Sequence, residues 1–169
     1  SSMLQPLTLR SPSGERVWGL IARPRGRGPH PVVFVLPGAV GSGLAMALTP
    51  GASRLVAAGV AVVGINAAGR GSGRPWNPRS AGPPDFNGPR DQDALAAAIR
   101  SIAARRWADA SNLGLASVSY GLVVAAGCLS RHPDLPVRYL VDEEGPADRY
   151  DAMPVSYTHL TLPTKCWGG

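Results

Sequence analysis

Short apolar runs separated by Gly/Pro-rich breaks set the rhythm of this chain. Residues 14–24, GERVWGLIARP, are rich in β-formers and end in the breaker string RGRGPHP, which predicts a strand and then a turn. Residues 32–38, VVFVLPG, form a continuous apolar run stopped by Pro37 and Gly38, as expected of a parallel strand buried on both faces. SRLVAAGVAVVGIN, residues 53–66, predicts a helix ending near Gly59 and a second buried strand over 60–65. Strand, helix and strand in that order make a βαβ unit with a right-handed crossover. Residues 69–90 are dense in Gly, Pro, Asn and Arg without a hydrophobic period, so they predict a long loop over the sheet edge. In DQDALAAAIRSIAARRW, Leu95, Ile99 and Ile102 recur at helical spacing behind Asp91 and Asp93, whose charges suit the helix dipole. NLGLASVSYGLVVAAGCLSRH then predicts a strand over 113–117, a sharp turn at Ser119 and a helix from Gly121, and VRYLVDEEGP adds a strand over 137–141. No internal repeat or low-complexity tract interrupts this order.

The composition narrows the picture. A chain of 169 residues with 44% hydrophobic content can bury a sizeable core in one domain. No run approaches the roughly 18 apolar residues of a membrane span, and the N-terminus lacks the charged-then-apolar order of a signal peptide. The chain reads as soluble with no membrane partner. It begins with Ser1, so an export signal upstream is left open, and with it a cytoplasmic or exported location. Cys128 and Cys166 form neither a metal spacing nor a disulfide framework, and no metal or cofactor is expected. The net charge of +6 is spread as single arginines and short pairs such as Arg105 and Arg106. A nucleic-acid face needs clustered basic residues interleaved with aromatics, so no nucleic-acid partner is expected.

The candidate chemistry lies at residues 117–121. A strand, a tight turn with a central serine and then a helix is the arrangement of a nucleophile elbow, in which small flanking residues let the turn strain and lift the hydroxyl above the sheet. Ser119 is the central serine and Gly121 the second glycine of G-x-S-x-G, while Ser117 stands where the first glycine would be. A chance S-x-S-x-G in an α/β protein is the competing reading. The loop after VVFVLPG, with Gly38, Ala39, Gly41 and Gly43, stands where a second oxyanion donor must come from. The expected donors are the backbone N–H groups of Ala39 and Tyr120, against the plainer reading of a strand-to-helix turn. No Gly-Lys-Ser/Thr closes the loop as a phosphate-binding motif would require.

This order of parts resembles the α/β-hydrolase superfamily and, within it, the dienelactone hydrolase and prolyl-oligopeptidase-like esterase or peptidase branch. The resemblance is carried by LPGAVGSG, AAGVAVVGINAAGRGSG, DQDALAAAIRSIAARRWADASNLGLASVSYG and VRYLVDEEGP, and covers roughly residues 14–150. It implies an α/β fold with a doubly wound, mostly parallel sheet, incomplete here at its C-terminus, and hydrolysis through an acyl-serine intermediate. Two departures stand out. Pro37–Gly38 replaces the usual His-Gly before the oxyanion loop, which matters little because the donor is a backbone group. The catalytic Asp and His implied by the resemblance follow later strands that are not in this sequence.

The remaining candidates read as structural. His30 and His132 lie on the wrong segments for a triad ordered Ser, acid, His, and are expected at the surface. Asp142, Glu143 and Glu144 end the strand after the nucleophile helix, where a minority of the superfamily place their acid; a loop-fixing role is the default. Trp76 and Trp107 read as packing or lid residues, and Gly69 to Gly73 as an ordinary loop. The last 16 residues hold the only lysine, Lys165, and three of the five threonines. PVSYTHLTLPT, residues 154–164, resembles the translation of a transposon-type sequencing adapter. The expected domain is therefore the N-terminal part of one hydrolase domain over 1–153, followed by a non-native tail over 154–169. Any strand formed by SYTHLTL would reflect generic β-propensity. His159 lies only about fifteen residues past the acids, too few for the intervening strands and helices, and is not expected to serve as the base.

The expected function is that of a serine hydrolase acting on a small ester or a peptide, inactive as this chain stands. The alternatives are a non-catalytic α/β fragment and a doubly wound nucleotide-binding domain. Acyl and leaving-group preference and the oligomeric state are not legible.

Overall fold

A computed structural model describes residues 2–38, 41–144 and 157–161, of which 143–144 and 157–161 are described by backbone alone. The elements run β1 (Ser2–Arg10), β2 (Arg16–Pro24), β3 (His30–Leu36), α1 (Gly43–Met46), α2 (Pro50–Ala57), β4 (Ala61–Ile65), α3 (Pro89–Ala103), β5 (Ala108–Val118), α4 (Gly121–Arg131), β6 (Val137–Glu144) and β7 (Tyr157–Thr161). They build one sheet in the order β1-β2-β4-β3-β5-β6-β7. The four strands from β4 to β6 are parallel, with β1, β2 and β7 added antiparallel. The expected doubly wound α/β sheet is present, and its four-strand parallel centre carries the strand-to-helix turn at Ser119. Among the described residues no helix is long and apolar enough to cross a membrane.

The alternation of side chains along the central strands sorts the core into two layers. Val32, Phe34 and Leu36 of β3, Ala61, Val63 and Ile65 of β4, and Leu113 and Leu115 of β5 face Leu95, Ile99 and Ile102 of α3 and Ala125 and Cys128 of α4. Val33, Val35 and Val62 face the other way, onto Ala47 and, from α2, Ala52 and Val56. Leu113 and Leu115 lie in the same stripe as Ser117, and Leu140 of β6 lies in the same stripe as Asp142. That parity sets Ser117 and Asp142 on the α3/α4 face.

α1 approaches the sheet at backbone distance. A Cβ on Gly43 would lie 1.9 Å from the Ile65 carbonyl oxygen, and one on Gly64 would lie 1.8 Å from the Gly43 oxygen. Only glycines allow this seat. Asn66, just past β4 and fully buried, locks it. Its Oδ1 accepts from the Ser42 hydroxyl at 2.7 Å and from the Leu44 amide at 3.2 Å. Its Nδ2 donates to Asn77 Oδ1 at 2.8 Å and to the Pro78 carbonyl at 2.9 Å. The Leu44 N–H can only donate and the Pro78 carbonyl only accept, so the amide orientation is fixed by its neighbours.

Several elements differ from the sequence reading, among them β5, which begins at Ala108 where a start at 113 was expected. β1 is an edge strand in which only Leu7 is buried and Pro6 interrupts the pattern, so no alternation announces it. α1 is a four-residue turn held by the Ser42 cap rather than by hydrophobic spacing. β6 runs past the expected 137–141 to Glu144. Within the tail, residues 157–161 pair antiparallel with β6. An open strand edge beside a segment of Tyr, Thr and Leu is sufficient for such pairing.

Candidate active site

β5 passes into α4 through two residues. Ser119 takes φ 52°, the left-handed region that a non-glycine residue enters at a cost, and Tyr120 follows as the helix N-cap with φ −63° and ψ −14°. Gly121 is required by packing: a Cβ there would lie 2.8 Å from the Pro37 oxygen, 2.9 Å from the Leu36 oxygen and 3.2 Å from the Ser117 Cβ. The first turn of α4 therefore rests on the end of β3 and on Ser117, and the tight turn presents Ser119 at the C-terminal edge of the parallel strands. Relief of its strain gives a direct prediction. Ser119→Gly is expected to stabilise the protein by about 1 kcal/mol, read as a higher urea midpoint at unchanged m-value; a loss of stability would contradict the strained turn.

Tyr120 is 63% exposed, and its N–H donates to no group among the described residues. α4 has no side-chain cap and no acidic residue in its first turn, and its Leu122 and Val123 amides donate back to the Ser119 and Tyr120 carbonyls at 3.1 and 3.0 Å, so the partial positive charge of the helix start is opposed by no side chain of its own first turn. Ala39, the other expected oxyanion donor, lies outside the described residues. On either side of it, the Gly41 N–H donates to the Gly38 carbonyl at 3.3 Å.

Beside this loop is a small cavity of about 30 Å³, lined by Leu36, Pro37, Ile65, Leu95, Val124 and Arg70 among others. Among the described residues Arg70 Nη2 is buried without a hydrogen-bond partner, and the guanidinium lies 5.1 Å from the centre of the Phe86 ring. Phe86 and Asn87 both take positive φ, 51° and 65°. The strained pair is pinned from three sides. Asp91 Oδ2 accepts from the Asn87 N–H at 2.9 Å, Gln92 donates to the Asn87 carbonyl at 3.1 Å, and Asn87 Nδ2 donates to the Tyr120 carbonyl at 3.0 Å. Burial pushes the Asp91 carboxyl above its ordinary range, against the pull of the Asn87 and Ala68 amides. The sequence suggested only a dipole partner for α3 at Asp91. Arg70, Asn87 and Asn66 carried no local signal at all. A larger apolar hollow of about 350 Å³, lined by Leu4, Trp18, Leu20, Leu44 and Trp76 among others, has no titratable side chain in its wall.

His30 and His132 stand far from Ser119. His30 opens β3, about 20 Å of strand from the elbow end. His132 follows α4, about 16 Å of helix away from its start. It is also less free than a surface histidine, because its Nε2 lies 2.8 Å from Asp93 Oδ1. Partial burial opposes ionisation of Asp93, but the hydrogen bonds from His132 and Arg131 outweigh it and hold the carboxyl below its ordinary range. The His159 backbone pairs opposite Asp142; its side chain lies outside the described part. Of the acidic cluster, Asp142 is 2% exposed, and its Oδ1 accepts from the Ser117 hydroxyl at 2.9 Å. Trp107 packs on the core beneath the Arg23 guanidinium, and Trp76 is exposed.

The same arrangement of strands and helices is found in hydrolases of known structure. A CocE/NonD family hydrolase from Staphylococcus aureus is similar over 82% of this chain and 27% of its own, with a TM-score of 0.61 and 19% identity. The α/β hydrolase GrgF from a Penicillium species is similar over 89% of this chain and 50% of its own, with a TM-score of 0.65 and 15% identity. Acetyl xylan esterase 1 from a Thermoanaerobacterium species is similar over 82% and 47%, with a TM-score of 0.63 and 18% identity. The chain has the α/β-hydrolase fold. It spans half or less of the length of these hydrolases. No protein-family model matches it, and no curated protein matches it in sequence. Within the hydrolase fold, Ser119 occupies the strand-to-helix turn at the C-terminal edge of the parallel strands, where such sheets place their ligands.

Proposed function

We propose that this chain is the nucleophile-bearing part of a serine hydrolase that cleaves a small ester or a peptide through an acyl-serine intermediate. The observation that carries the reading is Ser119 itself, held at φ 52° between β5 and α4 beside a Tyr120 N–H that donates to no group among the described residues. In this reading Ser119 Oγ attacks the acyl carbonyl carbon and gives its proton to a general base. The carbonyl oxygen becomes an oxyanion held by the Tyr120 and Ala39 N–H groups. Collapse expels the alcohol or amine, which takes up the proton, and water then releases the acid from Ser119. The small cavity beside the turn, with Arg70 in its wall, adjoins the place where the acyl group would sit. Acetyl xylan esterases and a thioesterase domain among the similar structures make acyl esters and thioesters the first substrates to try.

The finer placement within the hydrolases is with the dienelactone hydrolase and prolyl-oligopeptidase-like branch, supported by the motif order from LPGAVGSG to VRYLVDEEGP. Residues 1–153 then form the N-terminal part of one domain, residues 154–169 are a non-native tail in which 154–164 resemble translated adapter, and the acid and histidine belong to native sequence missing after Met153. The chain of 169 residues is inactive in this reading, since a serine without a base is a weak nucleophile. A fluorophosphonate probe tests both halves. It is expected to label the gene product read from the uninterrupted source DNA, with labelling abolished by Ser119→Ala, and to leave the present chain unlabelled. Labelling of the present chain that depends on His159 would refute the inactivity. A longer product that resists the probe would refute the nucleophile.

A further inference from the structure

Ser117 stands where the elbow pattern has glycine, and the fold gives its hydroxyl a task. The β5–β6 register sets Ser117 directly opposite Asp142. The two are 1% and 2% exposed, and the hydroxyl donates to Asp142 Oδ1 at 2.9 Å. A buried carboxylate is costly without such donors. The pair lies on the α3/α4 face at the root of the elbow, since the place of a Gly121 Cβ is only 3.2 Å from the Ser117 Cβ. Ser119 is two residues further on. A bond across β5 and β6 at this point fixes the last turn-bearing residues of β5 against a neighbour in the sheet, where a glycine would leave them held by backbone alone.

We propose that Ser117 and Asp142 form a buried strut that positions the elbow, with Ser117 acting as a positioning residue for Ser119. The inference rests on the reading of Ser119 as the nucleophile. It separates from mere packing because a packing role affects stability, whereas a positioning role also sets the environment of the side chain at 119.

The test needs no catalytic base. In a Ser119→Cys protein the new thiol reports the site through its pKa and its rate of alkylation by iodoacetamide. Cys166→Ser is included throughout, and Cys128 is silent because burial pushes its thiol up to about 12. At a helix N-terminus the reporter thiol is expected to titrate below the ordinary value of about 8.5. Adding Ser117→Ala or Ser117→Gly is expected to move that titration about one pH unit higher and to slow alkylation at pH 7 several-fold. Ser117→Thr, which keeps the hydroxyl, is expected to restore both. Thermal unfolding of each protein is followed in parallel. A depressed reporter pKa that Ser117→Ala leaves unchanged, even as melting falls, overturns the strut alone. An ordinary pKa in every protein overturns the nucleophile reading and the strut with it.

Discussion

Replacing Gly64 by valine is expected to unfold the protein, although the change turns AVVGI into a better strand sequence. The β-propensity gained is at most about 1 kcal/mol. Against it stands a Cβ placed 1.8 Å from the Gly43 oxygen and 2.6 Å from the Gly43 carbonyl carbon, both backbone atoms that cannot step aside. The clash can be relieved only by lifting α1 off β4, which also breaks the bonds of Asn66. The expected loss exceeds about 4 kcal/mol, in the range reserved for disrupted cores and backbones, and alanine should suffice to produce most of it. Gly38→Ala provides the control: no described residue lies within 4 Å of its Cβ position and its φ is not positive, so its stability should stay within about 0.5 kcal/mol of the parent. Equilibrium denaturation compares the proteins. A Gly64→Ala protein as stable as the parent would refute the close seat of α1.

Asn66→Asp is expected to make stability depend on pH in a direction set by the hydrogen-bond donors around it. The Ser42 and Leu44 donors to Oδ1 are kept, but the former amide nitrogen becomes an oxygen facing two acceptors, Asn77 Oδ1 and the Pro78 carbonyl. Only a protonated carboxyl can donate there, so the folded state should raise its pKa above the unfolded value of about 3.9. The folded protein then binds the proton more tightly than the unfolded chain. The penalty is smallest below the unfolded pKa and grows as pH rises through the window between the two values. It is complete above the folded pKa, having grown by about 1.4 kcal/mol for every pH unit that the window spans. Asn66→Leu should instead cost roughly 3 kcal/mol at every pH, from polar groups left unpaired. Denaturation curves at pH 4 and pH 8 check both. A loss for Asn66→Asp that is equal at the two values would contradict the donor assignment.

These two positions show where sequence reading succeeds and where it stops. The runs at 32–38 and 60–65 were legible because burial on both faces removes polar residues from the strand itself. The turn at Ser119 was legible because it is local, with its strand, serine, glycine and helix contiguous. Gly64 was read as part of a strand, and nothing near it in sequence announces Gly43 as its neighbour. Asn66, Arg70 and Asp91 depend on partners brought to them by the long loop over 66–88, where no hydrophobic period guides a prediction. Ser117 was noted as a departure from pattern. Its partner across the sheet, Asp142, was seen separately as a member of an acidic cluster, and only the register of β5 against β6 joined the two.

The pairing of β3 with β5 bears on how this chain reaches its native state. Val33 and Gly114 are register partners separated by about eighty residues of intervening chain, so their union closes a long loop whose entropy must be met before the contact repays it. The β1–β2 hairpin and the α3-β5-α4 segment are local by comparison and can form early. The φ of 52° at Ser119 is supported by contacts of α4 with Leu36 and Pro37, at the end of β3. The strained turn is therefore expected to lock only when this slow, non-local closure is complete, and the nucleophile would acquire its geometry among the last events of folding.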